Sequence, residues 1–178
     1  MKKIFCSIVS LMAFLVYPPG GWTQEAALTI TSPVFAHNQS IPAKYTCQGE
    51  NVNPPLSIEL KNFPTAKYVA LIVEDPDAPS GTWVHWILFN IPVPESGEVS
   101  IDENSAPGIQ GMNDFGKANY GGPCPPMGRH RYFFKAYVLE GMPDLPELKE
   151  GISKQALMEA MDYYTVGQGE LIGLYKKE

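Results

Sequence analysis

Short apolar runs separated by turn residues dominate the pattern of hydrophobic and polar positions along this chain. Three runs, at residues 68–73, 83–91 and 132–139, are nearly unbroken and are followed closely by acidic residues, proline or glycine. This pattern is typical of buried strands. Three weaker runs of the same kind occupy residues 28–31, 56–60 and 169–175. The six runs together predict a mainly β protein.

One segment near the C-terminus shows the helical period instead. Ser153 can cap it, and Leu157, Ala160, Met161 and Tyr164 recur at i, i+3, i+4 and i+7 on one face. The chain also has 17 prolines and 16 glycines, which indicate many turns. We therefore expect an antiparallel, Greek-key-like β-sandwich with one short C-terminal helix packed on it.

The N-terminus carries the pattern of an export signal. Lys2 and Lys3 precede an apolar run at residues 4–16, which is shorter than the ~20 residues that a membrane-spanning helix needs. We expect a signal peptide over residues 1–24 and a single domain over residues 25–178. The protein would then be exported, and periplasmic if the cell has an outer membrane.

Charge and cysteine content narrow the class of partner. The net charge of −6 becomes more negative when the signal peptide leaves with two lysines and no acidic residue, which disfavours nucleic acid and anionic membranes as partners. Cys6 leaves with the same segment. Cys47 and Cys124 remain, and they form either a disulfide in an oxidising compartment or two free thiols in the core.

The first candidate cluster for chemistry lies where two strands meet. Asp75 and Asp77 follow the first long run, and His85 lies near the start of the second. Simple alternation along that second strand places Trp83, His85 and Ile87 on one face. An aspartate bonded to one nitrogen of a histidine would favour its protonated form, and the other nitrogen could donate to a phosphate or a carboxylate.

The second candidate cluster lies in a loop rich in glycine and proline, residues 104–128. A loop of this length is usually either functional or disordered, and its aromatic residues and prolines favour an ordered, functional loop. Its end, Tyr120–Pro126, leads to His130 and Tyr132 at the start of the third long run. A Gly-Pro segment can hold backbone N–H groups in a concave arrangement, and the Tyr132 hydroxyl can donate as well. Both clusters therefore predict a site for a small anion.

Catalytic interpretations of the same residues find less support. Two histidines and two aspartates could bind a metal for hydrolysis, but no H-x-H, H-x-x-x-H or H-E-x-x-H spacing occurs. Neither a G-x-S-x-G nor a P-loop motif is present. We predict a protein that is not an enzyme and has no cofactor, and keep a metal-dependent hydrolase as a less favoured alternative.

The two clusters resemble the signature blocks of a known family. D-P-D-A-P at residues 75–79 with W-V-H-W at 83–86, and G-P-C-P-P-x-G-x-H-R-Y at 122–132, are similar to those of the phosphatidylethanolamine-binding proteins. That family includes the Raf kinase inhibitor proteins, and Y-T-C-Q-G-E-N-V-N-P-P-L at 45–56 resembles a block of its bacterial branch. The resemblance extends over about residues 28–175.

This resemblance implies a small pocket for phosphate, acetate or a phosphorylated headgroup, with no stable membrane insertion. By motif position the pocket would be lined by Asp75, Asp77, Pro79, Trp83, His85, Gly122, Pro123, His130 and Tyr132. The family pattern also implies a cis bond before Pro123 and a C-terminal contribution from Tyr175. Because inhibitors occur in the family, inhibition of a protease or kinase through a protein interface is the alternative function.

Overall fold

The computed structural model describes residues 27–141 and 148–178. The predicted signal peptide, residues 1–24, and with it Cys6, lies outside these residues. Within the described ranges, no helix has both the length and the apolar character needed to span a membrane.

Nine strands form two sheets in the described part of the chain. The strands are β1 (Ala27–Thr31), β2 (Gln39–Ser40), β3 (Leu56–Lys61), β4 (Tyr68–Asp75), β5 (Trp83–Pro92), β6 (Glu98–Ile101), β7 (Ile109–Gln110), β8 (Arg129–Leu139) and β9 (Thr165–Lys176). One sheet has the order β1-β3-β6, and the other has the order β2-β9-β8-β4-β5-β7. All six predicted runs lie in strands, so the mainly β fold is confirmed. The two-residue pairing of β2 with β9 is parallel and was not predicted.

The alternation of side chains along β4 explains its unbroken apolar sequence. Val69 and Leu71 lie in the core between the two sheets. Ala70 and Ile72 lie on the opposite face, in a second core with Leu157 of the helix α1 (Lys154–Met161). Because both faces of the strand are covered, the successive positions 69–73 are all apolar.

The predicted short helix is confirmed, with the predicted cap. The Ser153 hydroxyl accepts a hydrogen bond from the backbone N–H of Ala156 at 3.2 Å. Tyr164, predicted on the same helical face, lies in the 3₁₀ turn Asp162–Tyr164 that follows α1 and packs against the same core.

A β-bulge at the start of β5 changes which side chains share a face. Val73 of β4 pairs with Trp86, but the next residue of β4 pairs with Val84, so His85 is an extra residue in β5. As a result, His85 and Trp86 lie on the side of the inter-sheet core, while Ile87 packs toward α1. The predicted face shared by His85 and Ile87 is therefore wrong.

A disulfide joins the two cysteines that the sequence left either bridged or free. Cys47 and Cys124 are bonded, with their Cα atoms 5.4 Å apart. The Cys47 N–H also donates to the Pro123 carbonyl at 3.1 Å. These contacts connect the segment after the 3₁₀ turn Ala43–Tyr45 to the Gly-Pro loop.

Candidate functional site

A cavity of about 300 Å³ opens where β4 ends and β5 begins. Five of the nine residues predicted for the pocket line it: Asp75, Pro79, Trp83, His85 and Tyr132. The sequence did not predict six others that contribute: Ala78, Ser80, Phe115, Cys124, Pro125 and Pro126. The remaining four predicted residues lie around the cavity in supporting positions. We refer to this space as the first cavity.

His130 and Asp75 are in direct hydrogen-bond contact with each other. His130 Nδ1 lies 2.7 Å from Asp75 Oδ2, and His130 Nε2 lies 3.1 Å from the Met127 carbonyl oxygen. Because both contacts are to acceptors, both are hydrogen bonds only if each ring nitrogen carries a proton. Both ring nitrogens are thus taken up within the protein, so His130 is not presented to a ligand in the first cavity as predicted.

The Asp77 carboxylate is likewise bonded to another residue of the protein, Arg131. Its carboxylate accepts from the Arg131 N–H and Nε at 2.9 Å each, and from Arg131 Nη2 at 2.6 Å. These bonds outweigh partial burial and lower the pKa of Asp77 to about 2. Asp77 therefore fastens the turn between β4 and β5 to β8. Its backbone N–H donates to Asp75 Oδ1 at 2.8 Å, which holds the Asp75 carboxylate in place.

His85 presents an acceptor rather than a positive charge. Its Nδ1 donates to the Gly121 carbonyl at 2.6 Å. Burial lowers the pKa of His85, and this outweighs the opposing effects of the Gly121 carbonyl and the Asp75 carboxylate. The imidazole is thus neutral near pH 7. Its Nε2, which carries the lone pair, accepts no hydrogen bond from the described residues.

Two buried donors of the first cavity have no partner among the residues that the structure describes. They are the indole Nε1 of Trp83 and the hydroxyl of Tyr132. The Tyr132 hydroxyl lies near Asp75 but forms no hydrogen bond of good geometry with it. Burial, and then the influence of Asp75, raise the pKa of Tyr132 far above its usual value, so the hydroxyl keeps its proton. An unsatisfied buried donor costs about 1–3 kcal/mol, so a ligand that accepts from both offsets that cost.

Gly122 and Pro123 form a support behind the first cavity. The Gly122 N–H donates to Asn51 Oδ1 at 2.8 Å, and a Cβ at Gly122 would lie 2.6 Å from that oxygen. Only glycine fits this close approach. The described residues contain no cis peptide bond, so the expected cis bond before Pro123 is wrong. The trans form is the intrinsically favoured one, and it leaves the Pro123 carbonyl bonded to Cys47.

Tyr175 lies outside the lining of the first cavity. Its hydroxyl donates to Gln48 Oε1, and the residue borders a separate surface hollow beside Arg129. The contribution to the pocket that the resemblance implied for Tyr175 is therefore absent from this structure.

In residues 27–141 and 148–178, no group of three or more His, Cys, Asp or Glu side chains is arranged to hold a metal ion. The side chains considered as ligands have other partners. Asp75 bonds to His130, Asp77 to Arg131, and His85 to a backbone carbonyl.

Phe115 is the main functional residue that the sequence did not identify. Its ring packs edge-on against Trp83 and His85, with centroids 5.5 and 5.4 Å away. The sequence predicted an ordered, functional loop here but no roles within it. The signal was the turn-forming run Asn113–Gly116, in which Gly116 adopts a positive φ of 73°.

Comparisons with known proteins agree with this arrangement. Residues 31–176 match the family model described as phosphatidylethanolamine-binding protein. A UPF0098 protein of Pyrococcus horikoshii is 44% identical over 169 residues, which cover 89% of this chain and 81% of the relative. A UPF0098 protein of Methanothermobacter thermautotrophicus is 44% identical over 155 residues, which cover 84% and 99%.

Two solved structures share the fold. A phosphatidylethanolamine-binding protein homolog from Chlamydia trachomatis is 40% identical with a TM-score of 0.76. YbcL of E. coli, described as a member of the mammalian PEBP family, is 26% identical with a TM-score of 0.74. Each match covers 85% of this chain and 99% of the other. The sequence resemblance is thus confirmed, and the chain belongs to the phosphatidylethanolamine-binding protein family.

Proposed function

We propose that the protein is a non-catalytic binder of phosphate, carboxylate or phosphorylated headgroups, and that the first cavity is the binding site. The observation that carries this proposal is the pair of unpartnered donors, Trp83 Nε1 and the Tyr132 hydroxyl. Both belong to the cavity lining, and an anion supplies the acceptors that they lack.

The remaining groups favour an anion that keeps one proton. His85 Nε2 can accept from a protonated oxygen of the ligand, while Trp83 and Tyr132 donate to its other oxygens. The Asp75 carboxylate is engaged within the protein, by the Asp77 N–H at 2.8 Å and by His130 Nδ1 at 2.7 Å. A monoprotonated phosphate or phosphomonoester offers this combination of one donor and several acceptors.

The same proposal includes export of the protein. Lys2 and Lys3 followed by the apolar run at residues 4–16 support a signal peptide over residues 1–24. The mature protein would then meet its ligand outside the cytoplasm, or in the periplasm if the cell has an outer membrane.

Titration calorimetry with inorganic phosphate, phosphoethanolamine and acetate tests the proposal. We expect phosphoethanolamine to bind more tightly at about pH 5.5 than at about pH 7.5, because phosphomonoesters lose their second proton near pH 6. Acetate, which is ionised at both pH values, separates a proton carried by the ligand from one taken up by His85.

Two substitutions remove the donors singly. Tyr132→Phe and Trp83→Phe should each weaken phosphate binding by about tenfold, the value of one hydrogen bond to a charged group. Tyr137→Phe, a buried tyrosine on the face toward α1, is the matched control and should bind as the wild type does. The proposal fails if phosphate does not bind, or if both cavity variants retain full affinity.

A further inference from the structure

A second hollow of about 200 Å³ lies beside the first cavity. Phe115 and Cys124 line both spaces, so they form the wall between them. Phe115 is 45% exposed, and a ligand in the first cavity can therefore reach the second hollow across the edge of its ring. The second hollow is polar on its far side, where Asn51, Lys117 and Asn119 lie.

The loop that carries Phe115, Lys117 and Asn119 is held rigidly. Asn113 is 2% exposed, and its Oδ1 accepts from the N–H groups of Phe115 and Lys117 at 3.0 Å each. Its Nδ2 donates to the Asn119 carbonyl at 2.7 Å. A single buried side chain thus fixes the backbone of three residues that line the second hollow, which is the preorganisation a binding site requires.

A second anchor ties this loop to β5. Asp114 exchanges two hydrogen bonds with Val84: its backbone N–H donates to the Val84 carbonyl at 2.9 Å, and its side-chain Oδ2 accepts from the Val84 N–H at 2.6 Å. Val84 precedes His85, so these two bonds hold the loop against β5, the strand whose residues Trp83 and His85 line the first cavity. The positions of the two spaces relative to each other are fixed by these bonds.

The donors at the second hollow are unused. Lys117 Nζ forms no ion pair with any residue in the described ranges, whereas Lys44 and Lys135 are each paired with a glutamate. The Asn51 side chain accepts a hydrogen bond from the Gly122 N–H through its Oδ1, and its Nδ2 donates to none of the described residues. A cation and an amide donor, neither with a partner among the described residues, therefore line the same small space.

We propose that the second hollow is a subsite for a second anionic group, a carboxylate or phosphate, on the ligand whose first anionic group occupies the first cavity. The inference rests on the proposed function and specifies its ligand class: bifunctional acids in which a short chain passes over Phe115. Lys117 supplies the charge, and Asn51 supplies a hydrogen bond to the same group.

A series of phosphorylated alkanoates tests the subsite. Each member carries a phosphate at one end and a carboxylate at the other, with spacers of increasing length, and is compared with the alkyl phosphate of equal length. At one spacer length we expect the carboxylate to improve affinity about fivefold, the upper range for an exposed ion pair. Added salt should reduce this advantage, because Lys117 is exposed.

Lys117 variants identify the residue responsible. Lys117→Gln should abolish the advantage, Lys117→Arg should preserve most of it, and Lys67→Gln, at the opposite end of β4, should leave it unchanged. The subsite is refuted if no spacer gives an advantage, or if Lys117→Gln retains it, while phosphate still binds. Absence of any phosphate binding to the wild type overturns the proposed function itself, and this inference with it.

Discussion

Glu74 and Asp75 are neighbours in the chain, yet they lie on opposite faces of the six-stranded sheet and are paired in different ways. Glu74, 5% exposed, faces α1 and accepts hydrogen bonds from Lys135 and Lys154. Asp75, 3% exposed, faces the first cavity and is paired with His130. Both acids are buried at the end of the same strand, so the difference lies in what surrounds them.

The comparison separates a structural contact from a binding site. On the helix face, burial alone would raise the pKa of Glu74, but the two lysines outweigh it and hold the pKa below its usual value. Every group of that cluster has a partner. On the cavity face, Asp75 is equally well paired, but the adjacent donors of Trp83 and Tyr132 have none in the described residues. Two unsatisfied donors that line one cavity are the feature that distinguishes this face as a candidate binding site.

The largest expected effect comes from removing the Asp75 carboxylate. Asp75→Ala leaves both His130 Nδ1 and the Asp77 N–H without an acceptor and should cost about 3 kcal/mol of unfolding free energy. Urea denaturation near pH 7 measures this. Asp75→Asn is the control: its amide oxygen can accept from Asp77, and its NH₂ can donate to a neutral His130. A similar loss for both variants would contradict this account of the pair.

Removing the charge of Glu74 should have a smaller effect, although Glu74 has two cationic partners. Glu74→Gln should lower the unfolding free energy by about 2 kcal/mol, because Lys135 and Lys154 are each about one-third exposed and can turn toward water. Glu140→Gln, which removes an equal charge at an exposed position, is the control and should be nearly neutral. The comparison would fail if the two substitutions cost the same.

The strands were predictable because both faces of β4, β5 and β8 are covered, which leaves long apolar runs in the sequence. The bulge at His85 could not be predicted in this way. Simple alternation assumes that each residue of β5 pairs with one residue of β4, and nothing in the local sequence marks His85 as an extra residue. The sequence predicted that the acids and histidines lie close together, and in the structure Asp75 and His85 line the first cavity while Asp77 and His130 do not. It could not assign partners, since the contact of Asp75 with His130 depends on the pairing of β4 with β8.

Other features depended on tertiary distances that the sequence does not contain. The separation of Cys47 from Cys124, and hence the disulfide, follows from where the Gly-Pro loop packs. The position of Phe115 likewise follows from the hydrogen bonds of Asn113, whose side chain looks in sequence like that of any turn asparagine. Residue types therefore predicted where a site could lie, while packing decided which residues line the first cavity.

A substitution on the cavity face should raise the unfolding free energy of the free protein, whereas the substitution on the helix face should lower it. Tyr132→Phe removes a buried hydroxyl that has no partner in the described structure, so it should stabilise the free protein by about 1 kcal/mol while weakening phosphate binding. Thermal unfolding with and without phosphate measures both effects. Tyr120→Phe is the control, because that hydroxyl donates to the Tyr45 carbonyl at 2.9 Å and its loss should be destabilising. Destabilisation by Tyr132→Phe would indicate a structural role.

The smallest effect is expected at Asp77, which lies at the edge of the same turn but is partly exposed. Asp77→Asn keeps the bond from the Arg131 N–H but loses the ion pair, so the midpoint of thermal unfolding near pH 7 should fall by only about 2 °C. Since the pKa of Asp77 is lowered from 3.8 to about 2, the unfolded state binds the proton first. The stabilisation is therefore complete above about pH 4 and is lost as the pH falls toward 2. Wild type and variant should converge over that interval, and a difference that persists at pH 2 would show that the ion pair is not its cause.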